Sequence, residues 1–599
     1  MNKEKLSFAE IFKLFGRALT LSLKSKNALS IIVTLLGFPL AFLPMWTALQ
    51  VKIFADLAQE LYTHGYDVMP KVFSAFLILS ILYISQLLFN SLYDYCSSVD
   101  SLRIWQNIKE RILRCSCDVK FKYIENYDNF KERLFFAESE AGWHVADSMQ
   151  SIVRLFQNII AFVSILIVLL DIDVWVALIL VAATIPAIVL AYLQKEEEYR
   201  YKTKWTRDSI TAVQVWMDTT RPESMNDVRF FGIASYMREQ WRAAYRRYFK
   251  EKNKLTRKHV FFNSIADIFR SCVYVFILLI TARQIFDNPA VGIGAFMLVF
   301  TMAAQLQEVT AKIFIAVAQF ISDASYMRDF FYLDELEHEN RDKNAVPREK
   351  YAVEFNDVSF TYPDTEREIL HNLNIHIREG EKIAIVGENG SGKTTFVNLL
   401  CALYEPDSGE IKMGGEDIYT NLSQTRRTLS ALFQDFPKYE TSIRENIIVS
   451  DNRRNATDEE LQTLAEQTGV WDVIVEQPEG LDEVVGSFSP SGNNLSGGQW
   501  QKIALLRCAY RDDAKIMVLD EPTAALDPLA EAELYRSFAD ITGNRTTILI
   551  SHRLGITQLV DRILVFDDGR IVEDGTHTDL LANGGLYAKM YQAQAQWYE

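Results

Sequence analysis

Near the start of the chain Phe8, Phe12, Phe15, Leu19 and Leu23 recur at helical spacing, with lysines between them. That spacing predicts an amphipathic helix lying on a membrane surface, and it does not read as a secretory signal. Six longer apolar runs follow: Ala28 to Leu49, Val72 to Leu92, Ile152 to Leu170, Val174 to Leu193, Ile265 to Ile285, and Val291 to about Phe314. Each supplies the roughly 20 mostly apolar residues that a helix needs to span a bilayer. Asp267, Arg270, Glu308 and Lys312 interrupt the last two. Charges there sit either at helix ends near headgroups or along a polar cavity. The first reading suits Asp267 and Arg270; for Gln305 and Glu308 both stay open. Trp46, Gln86 and Asn90 are the other candidates to line such a cavity.

Runs two and three, and runs four and five, are separated by about 60 and about 70 charged, periodic residues, which predicts that the membrane helices continue well beyond the bilayer. Turns are expected at Glu125-Asn126-Tyr127-Asp128 and at Arg221 to Asp227, where Pro222 breaks the helical pattern. Lysine and arginine crowd the N-terminal stretch and both long segments. The connections Lys52 to Lys71, Asp171 to Asp173 and Phe286 to Ala290 are short or nearly free of them. Both termini and both long loops are therefore expected in the cytoplasm.

After Asp334 the pattern changes. A charged linker, 335–350, leads into an alternating, β-rich run from Val353 to Tyr362. Ile383 to Val386 read as a strand, Gly387 to Thr394 match G-x-x-x-x-G-K-T, and a helix follows from Thr394. In that strand–loop–helix context the motif is a phosphate-binding loop. Backbone N–H groups from Gly387 through Asn389, Gly390, Ser391, Gly392 and Thr395 surround phosphates, Lys393 adds charge, and the Thr394 hydroxyl reaches Mg²⁺. A second buried-type strand ends in Asp520 and Glu521. Asp520 suits the metal shell, and Glu521 is placed to polarise an attacking water. Tyr362 is a candidate to stack on adenine, and His552, after the strand TTILIS, a candidate donor to the γ-phosphate.

Composition sharpens this division. The net charge is −16 over 599 residues. Residues 351–599 hold 21 basic and 41 acidic side chains, against 41 and 37 in residues 1–350. The acid excess belongs to the C-terminal part and disfavours a nucleic-acid partner. Six cysteines in such a length make no disulfide scaffold, and the pair Cys115 and Cys117 has no second pair at zinc spacing. The chain is thus expected to join an all-α, six-helix transmembrane domain (27–334, after a surface helix in 1–26) to an α/β P-loop nucleotide-binding domain (351–599).

In order along the chain stand GENGSGKTT, LFQDF with Gln434, LSGGQ from Leu495 to Gln499, LDE, AALD ending at Asp527, and SHR with His552. This ordered set resembles ABC transporter half-units of the exporter type over nearly the whole chain. The resemblance implies an ATP-driven exporter using ATP and Mg²⁺. By the same resemblance Ser496, Gly497, Gly498 and Gln499 are expected to complete the ATP site of a partner subunit, Gln434 to sense metal and attacking water, and Asp527 to contact across the interface. The two turns, near Tyr127 and Asn226, resemble the family's coupling helices. Intact Glu521, His552 and signature in one chain favour a homodimer, with a heterodimer open. Two stretches, LFQDFPKYETSIRENI and LSGGQWQKIAL, look most like exporters of modified bacterial peptides and some multidrug exporters, which places the chain in a bacterial plasma membrane. Roughly 25 residues precede the first span, no room for a peptidase domain. A lipid flippase and an ATP-gated membrane sensor without cargo are the alternatives.

Overall fold

The computed structural model describes residues 7–25, 28–125, 130, 134, 137–138, 142–287, 292–340, 342, 344–363, 365–486 and 494–596. The chain divides into two compact units. Met1–Cys117 and Tyr127–Leu336 form the first; Asp118–Asn126 and Glu337–Glu599 form the second.

The first unit is helical. Among the described residues five helices are long and apolar enough to cross a membrane, six when one bent pair counts as a single span. That pair is Ala28–Leu40 with Leu43–Tyr62, bent by 42°. The expected continuous first span is therefore broken. Pro39 lies inside the first piece and Pro44 at the start of the second, so each removes a backbone donor at the bend. Helices Met69–Asp118, Val174–Thr220 and Ala234–Asp287 have 50, 47 and 54 residues. At about 1.5 Å per residue they run roughly 75 Å, far beyond an apolar layer of about 30 Å. The second turn begins as expected after Arg221, with the short helix Pro222–Phe230. Most of the first, Asn126 to Asp128, lies outside the described residues.

Local chemistry ends these helices. Asp173 is the one residue between the helices Gly142–Ile172 and Val174–Thr220, and it caps the second by accepting from Trp175 and Val176 N–H groups. The last span starts at Gly292, and its first N–H groups are met from another helix. Asp56 accepts from Gly294 at 2.9 Å and Gln59 from Ile293 at 3.2 Å. Ile165, Leu169, Leu180, Ile277, Leu298, Met302 and Leu306 pack into a shared core. The charges in the last two spans pair along their own helices: Arg270 with Asp267 at 2.8 Å, Lys312 with Glu308 at 2.6 Å. In the N-terminal helix, Phe8–Ser25, the buried face is Ile11, Leu14, Phe15 and Ala18, while Phe12 and Leu19 point outward. Phe15 stacks on Phe320 at 3.7 Å. Part of the apolar face expected on a membrane surface is thus spent on protein packing.

The second unit has two sheets among its described residues. One is antiparallel, in the order β2 (Glu368–Ile377), β1 (Val353–Thr361), β4 (Ser408–Met413), β5 (Glu416–Asp417). The other runs β10 (Arg570–Gly575), β9 (Arg562–Asp567), β3 (Lys382–Gly387), β8 (Thr546–Ile550), β7 (Ile516–Asp520), β6 (Leu429–Leu432). From β9 to β6 its strands are parallel. Buried on both faces, they read as continuous apolar runs. Asp118–Asn126 joins this unit through backbone and side chains. Lys120 N–H donates to Glu337 C=O at 3.0 Å and Glu339 N–H to Asp118 C=O at 2.7 Å. Lys120 also pairs with Glu405 at 3.1 Å, and Phe121 meets Tyr404 edge-on at 5.3 Å.

Candidate active site

β3, β8 and β7 lie side by side, and their C-terminal ends carry Gly387, Ser551 with His552, and Asp520 with Glu521. Because β8 runs between the other two, the histidine is set between the glycine loop and the acidic pair. Ligands of parallel α/β sheets bind at that edge.

The loop requires its glycines. Gly387 has φ 153°, and a Cβ there would come within 2.2 Å of the Phe566 carbonyl oxygen. Gly392, at φ 102°, caps the helix Lys393–Leu400, and a Cβ would meet Leu370 at 2.7 Å. No side chain caps that helix, so its first N–H groups stay available to an anion. Lys393 is buried, its Nζ donating to Gly387 C=O at 2.9 Å and Glu388 C=O at 2.8 Å. Burial holds its pKa below the usual lysine value, opposed by the nearby Glu521 and Asp520 charges. Asn389 and Gly390 are exposed at the loop tip, Ser391 is buried, and Thr394 is exposed at the helix start. Tyr362 packs edge-on against Phe360 and Tyr404, with its hydroxyl 3.0 Å from that of Thr395. The tyrosine therefore does stand beside the loop helix.

Asp520 is 2% exposed, and neither carboxylate oxygen has a hydrogen-bond partner. Burial, then the neighbouring Glu521 charge, pushes its pKa up to about 6. An orphaned buried carboxylate is costly unless a cation satisfies it. Among the described residues no group of three or more His, Cys, Asp or Glu forms a metal cage. One buried carboxylate, a threonine hydroxyl and a glutamine amide fit Mg²⁺, a hard cation that takes oxygen ligands and completes its shell with substrate phosphates.

Glu521 has a left-handed backbone, φ 52°, unusual for a residue with a side chain. Its carboxylate is held from both sides: His552 Nε2 lies 3.0 Å from Oε1, and Gln434 Nε2 donates to Oε2 at 3.2 Å. Burial, reinforced by the Lys393 charge, lowers the His552 pKa and favours a neutral ring, with Glu521 opposing. The Gln594 amide donates to His552 C=O and accepts from Leu554 N–H, the latter at 2.9 Å. Sequence reasoning missed Gln594: it lies 42 residues beyond the histidine and nothing local marks it.

The signature helix is Gly497–Tyr510. Ser496 and Gln499 form a capping box: Ser496 Oγ accepts from Gln499 N–H at 3.2 Å, and Gln499 Oε1 from Ser496 N–H at 2.9 Å. The box leaves the N–H groups of Gly497 and Gly498 without intrahelical acceptors at the helix mouth. Asp527 caps the next helix, Pro528–Thr542, accepting from Leu529 and Ala530 N–H at 2.9 Å each. These backbone bonds depress its pKa. The structure thus brings Gln434, Asp520, Glu521 and His552 to the sheet edge where the phosphate loop starts.

Residues 370–524 match the ABC transporter family. The chain is 28% identical over 512 residues to the subtilin transport ATP-binding protein SpaT of Bacillus subtilis, covering 85% of this chain and 83% of that protein. It is also 28% identical over 509 residues to the ATP-dependent lipid A-core flippase of Pectobacterium atrosepticum, covering 84% and 85%. Its fold is that of a bacterial Atm1-family ABC exporter solved with ATP bound, at a TM-score of 0.81 and 24% identity, over 95% of this chain and 99% of that one. Apolar spanning helices, a phosphate loop facing an acidic strand end, and these likenesses together mark a multi-pass membrane ATPase with an ABC transporter domain, similar over most of its length to ABC exporters that drive translocation.

Proposed function

We propose that two copies of this chain pair head to tail in a bacterial plasma membrane and export a peptide or amphipathic compound from the cytoplasm by alternating access. Both termini and the second unit face the cytoplasm. Each ATP lies between Gly387–Thr395 of one copy and Ser496, Gly497 and Gly498 of the other. The γ-phosphate then bridges two helix N-termini, and ATP binds the joined state more tightly than the open one. Only such differential affinity can drive a conformational change.

Within each site Lys393 and the loop N–H groups hold the phosphates. Thr394, Asp520 and Gln434 hold Mg²⁺, which when bound neutralises charge on the phosphates. Glu521 orients and deprotonates the attacking water, with Gln434 and His552 fixing its carboxylate. His552 is also the candidate donor to the γ-phosphate, and Tyr362 the candidate adenine contact. The observation that carries this reading is Glu521 held between His552 and Gln434 in a chain whose signature is also intact, so one chain supplies both halves of a working site.

The cargo class rests on the subtilin transport relative, while the lipid A-core flippase relative supports a lipid cargo as the second reading. Uptake into inverted vesicles tests both. ATP-dependent accumulation of a cationic peptide or amphipathic dye supports export, movement of a labelled lipid alone supports the second reading, and robust ATPase with neither contradicts transport.

A further inference from the structure

Gln501 sits in the first turns of the signature helix and is 3% exposed. Both ends of its amide are used on one turn of chain. Nε2 donates to the backbone carbonyl of Glu521 at 2.8 Å, and Oε1 accepts from the N–H of Ala525 at 2.7 Å. The same Glu521 carbonyl also accepts from Ala524 N–H at 3.2 Å. One turn earlier the contact is close again: a Cβ on Gly498 would lie 3.0 Å from the Ala525 carbonyl oxygen. The turn from Glu521 to Asp527 is thus pinned to the signature helix at two levels. Its first residue carries the left-handed backbone that aims the carboxylate.

The helix start and the carboxylate serve different nucleotides in the pairing proposed above: the first completes the partner's site, the second acts in the chain's own. We infer that Gln501 is a positioning residue that carries the engagement of the signature by one nucleotide to the general base acting on the other. This inference rests on that pairing and on Glu521 as base. A displacement of the signature helix moves the amide, and the amide moves the peptide that orients Glu521. A buried residue with two backbone partners costs most when only one partner is lost. Gln501→Glu keeps the size and the acceptor and loses the donor. Gln501→Met keeps only volume.

The test uses the full chain in lipid nanodiscs, with steady-state ATPase, fluorescent-nucleotide binding, and ATP occlusion measured in a Glu521→Gln background. Both Gln501 variants are expected to lower kcat by about tenfold or more while KM for ATP stays within about twofold. Added to Glu521→Gln, they should leave occlusion intact, since closure needs the signature and not the base. Unchanged kcat, or a loss confined to KM or occlusion, overturns the inference. Failure of both variants to bind nucleotide or fold would make the amide structural and overturn it too. Near-normal hydrolysis by Glu521→Gln alone would instead remove the base assignment beneath it. A dead Glu521→Gln with normal Gln501 variants removes only the positioning role.

Discussion

The helical unit and the nucleotide unit place their apolar residues in opposite ways. In the first, Leu77, Ile81, Leu88, Phe276 and Leu279 are exposed, while a central set such as Ile165, Leu180 and Met302 is fully buried. In the second, β3, β7 and β8 bury nearly every side chain. One surface is made for hydrocarbon and the other for water, so the same residue types carry different meaning. Polar groups follow suit. The charges that interrupt the last two spans pair with a neighbour three or four residues away on the same helix. Polar groups of the nucleotide unit converge from distant strands onto one sheet edge. Substitutions should therefore act locally on stability in the first unit and on turnover in the second.

The largest effect falls on the sheet edge. Glu521→Gln should lower kcat by about 10²–10⁴, typical for loss of a general base, with ATP binding retained. Phosphate release and nucleotide binding measured on the same sample check it; near-normal turnover would mean another base. Glycines separate the units next. Gly392→Ala puts a Cβ 2.7 Å from Leu370 at a left-handed φ, so the nucleotide unit should lose about 2 kcal/mol, seen as a lower melting temperature. Gly16 lies in the N-terminal helix, and a Cβ added there would meet no neighbouring element within 4 Å, so Gly16→Ala should stabilise by about 0.5–1 kcal/mol. Opposite signs for the two changes are the expected outcome in thermal unfolding.

A smaller effect concerns the segment Asp118–Asn126. Hydrogen bonds from Lys122 and Lys120, and their charges, hold Glu337 at a pKa of about 2, below its ordinary 4.5. A depressed carboxylate contributes stability above pH 4.5 that is lost as pH falls through about 2. Glu337 is well exposed, so solvent screening keeps the contribution small. Exchange protection at residues 119–125, taken relative to the intrinsic amide rate at each pH, should fall modestly over that window and stay flat from about pH 5 to 7.

What the sequence discloses follows the range of the forces involved. The strand–loop–helix of Ile383 to Thr394 and the strand ending in Asp520 are legible because apolar runs, glycines and a following charge are neighbours in the chain. The six apolar runs are legible for the same reason. The break in the first span is not, although Pro39 and Pro44 flank it, because hydropathy counts residues and does not register a lost backbone donor. The attachment of Asp118–Asn126 to the second unit depends on Glu337 and Glu405, more than 200 residues away. Gln501 and Gln594 are silent for a related reason: a glutamine amide gains its meaning from the backbone groups it meets, and those are set by the fold.

The central claim is that each ATP site is built from two chains, and complementation in mixed dimers tests it most directly. Lys393→Ala removes the loop's cation, and Ser496→Arg blocks the signature, so homodimers of either variant should be inactive. In a mixed dimer one site joins the intact loop of the second variant to the intact signature of the first. Purified through two different tags, mixed dimers should regain ATPase activity that neither homodimer has. Mixed dimers as inactive as both parents, or isolated single chains that hydrolyse ATP at the full rate, would contradict the account.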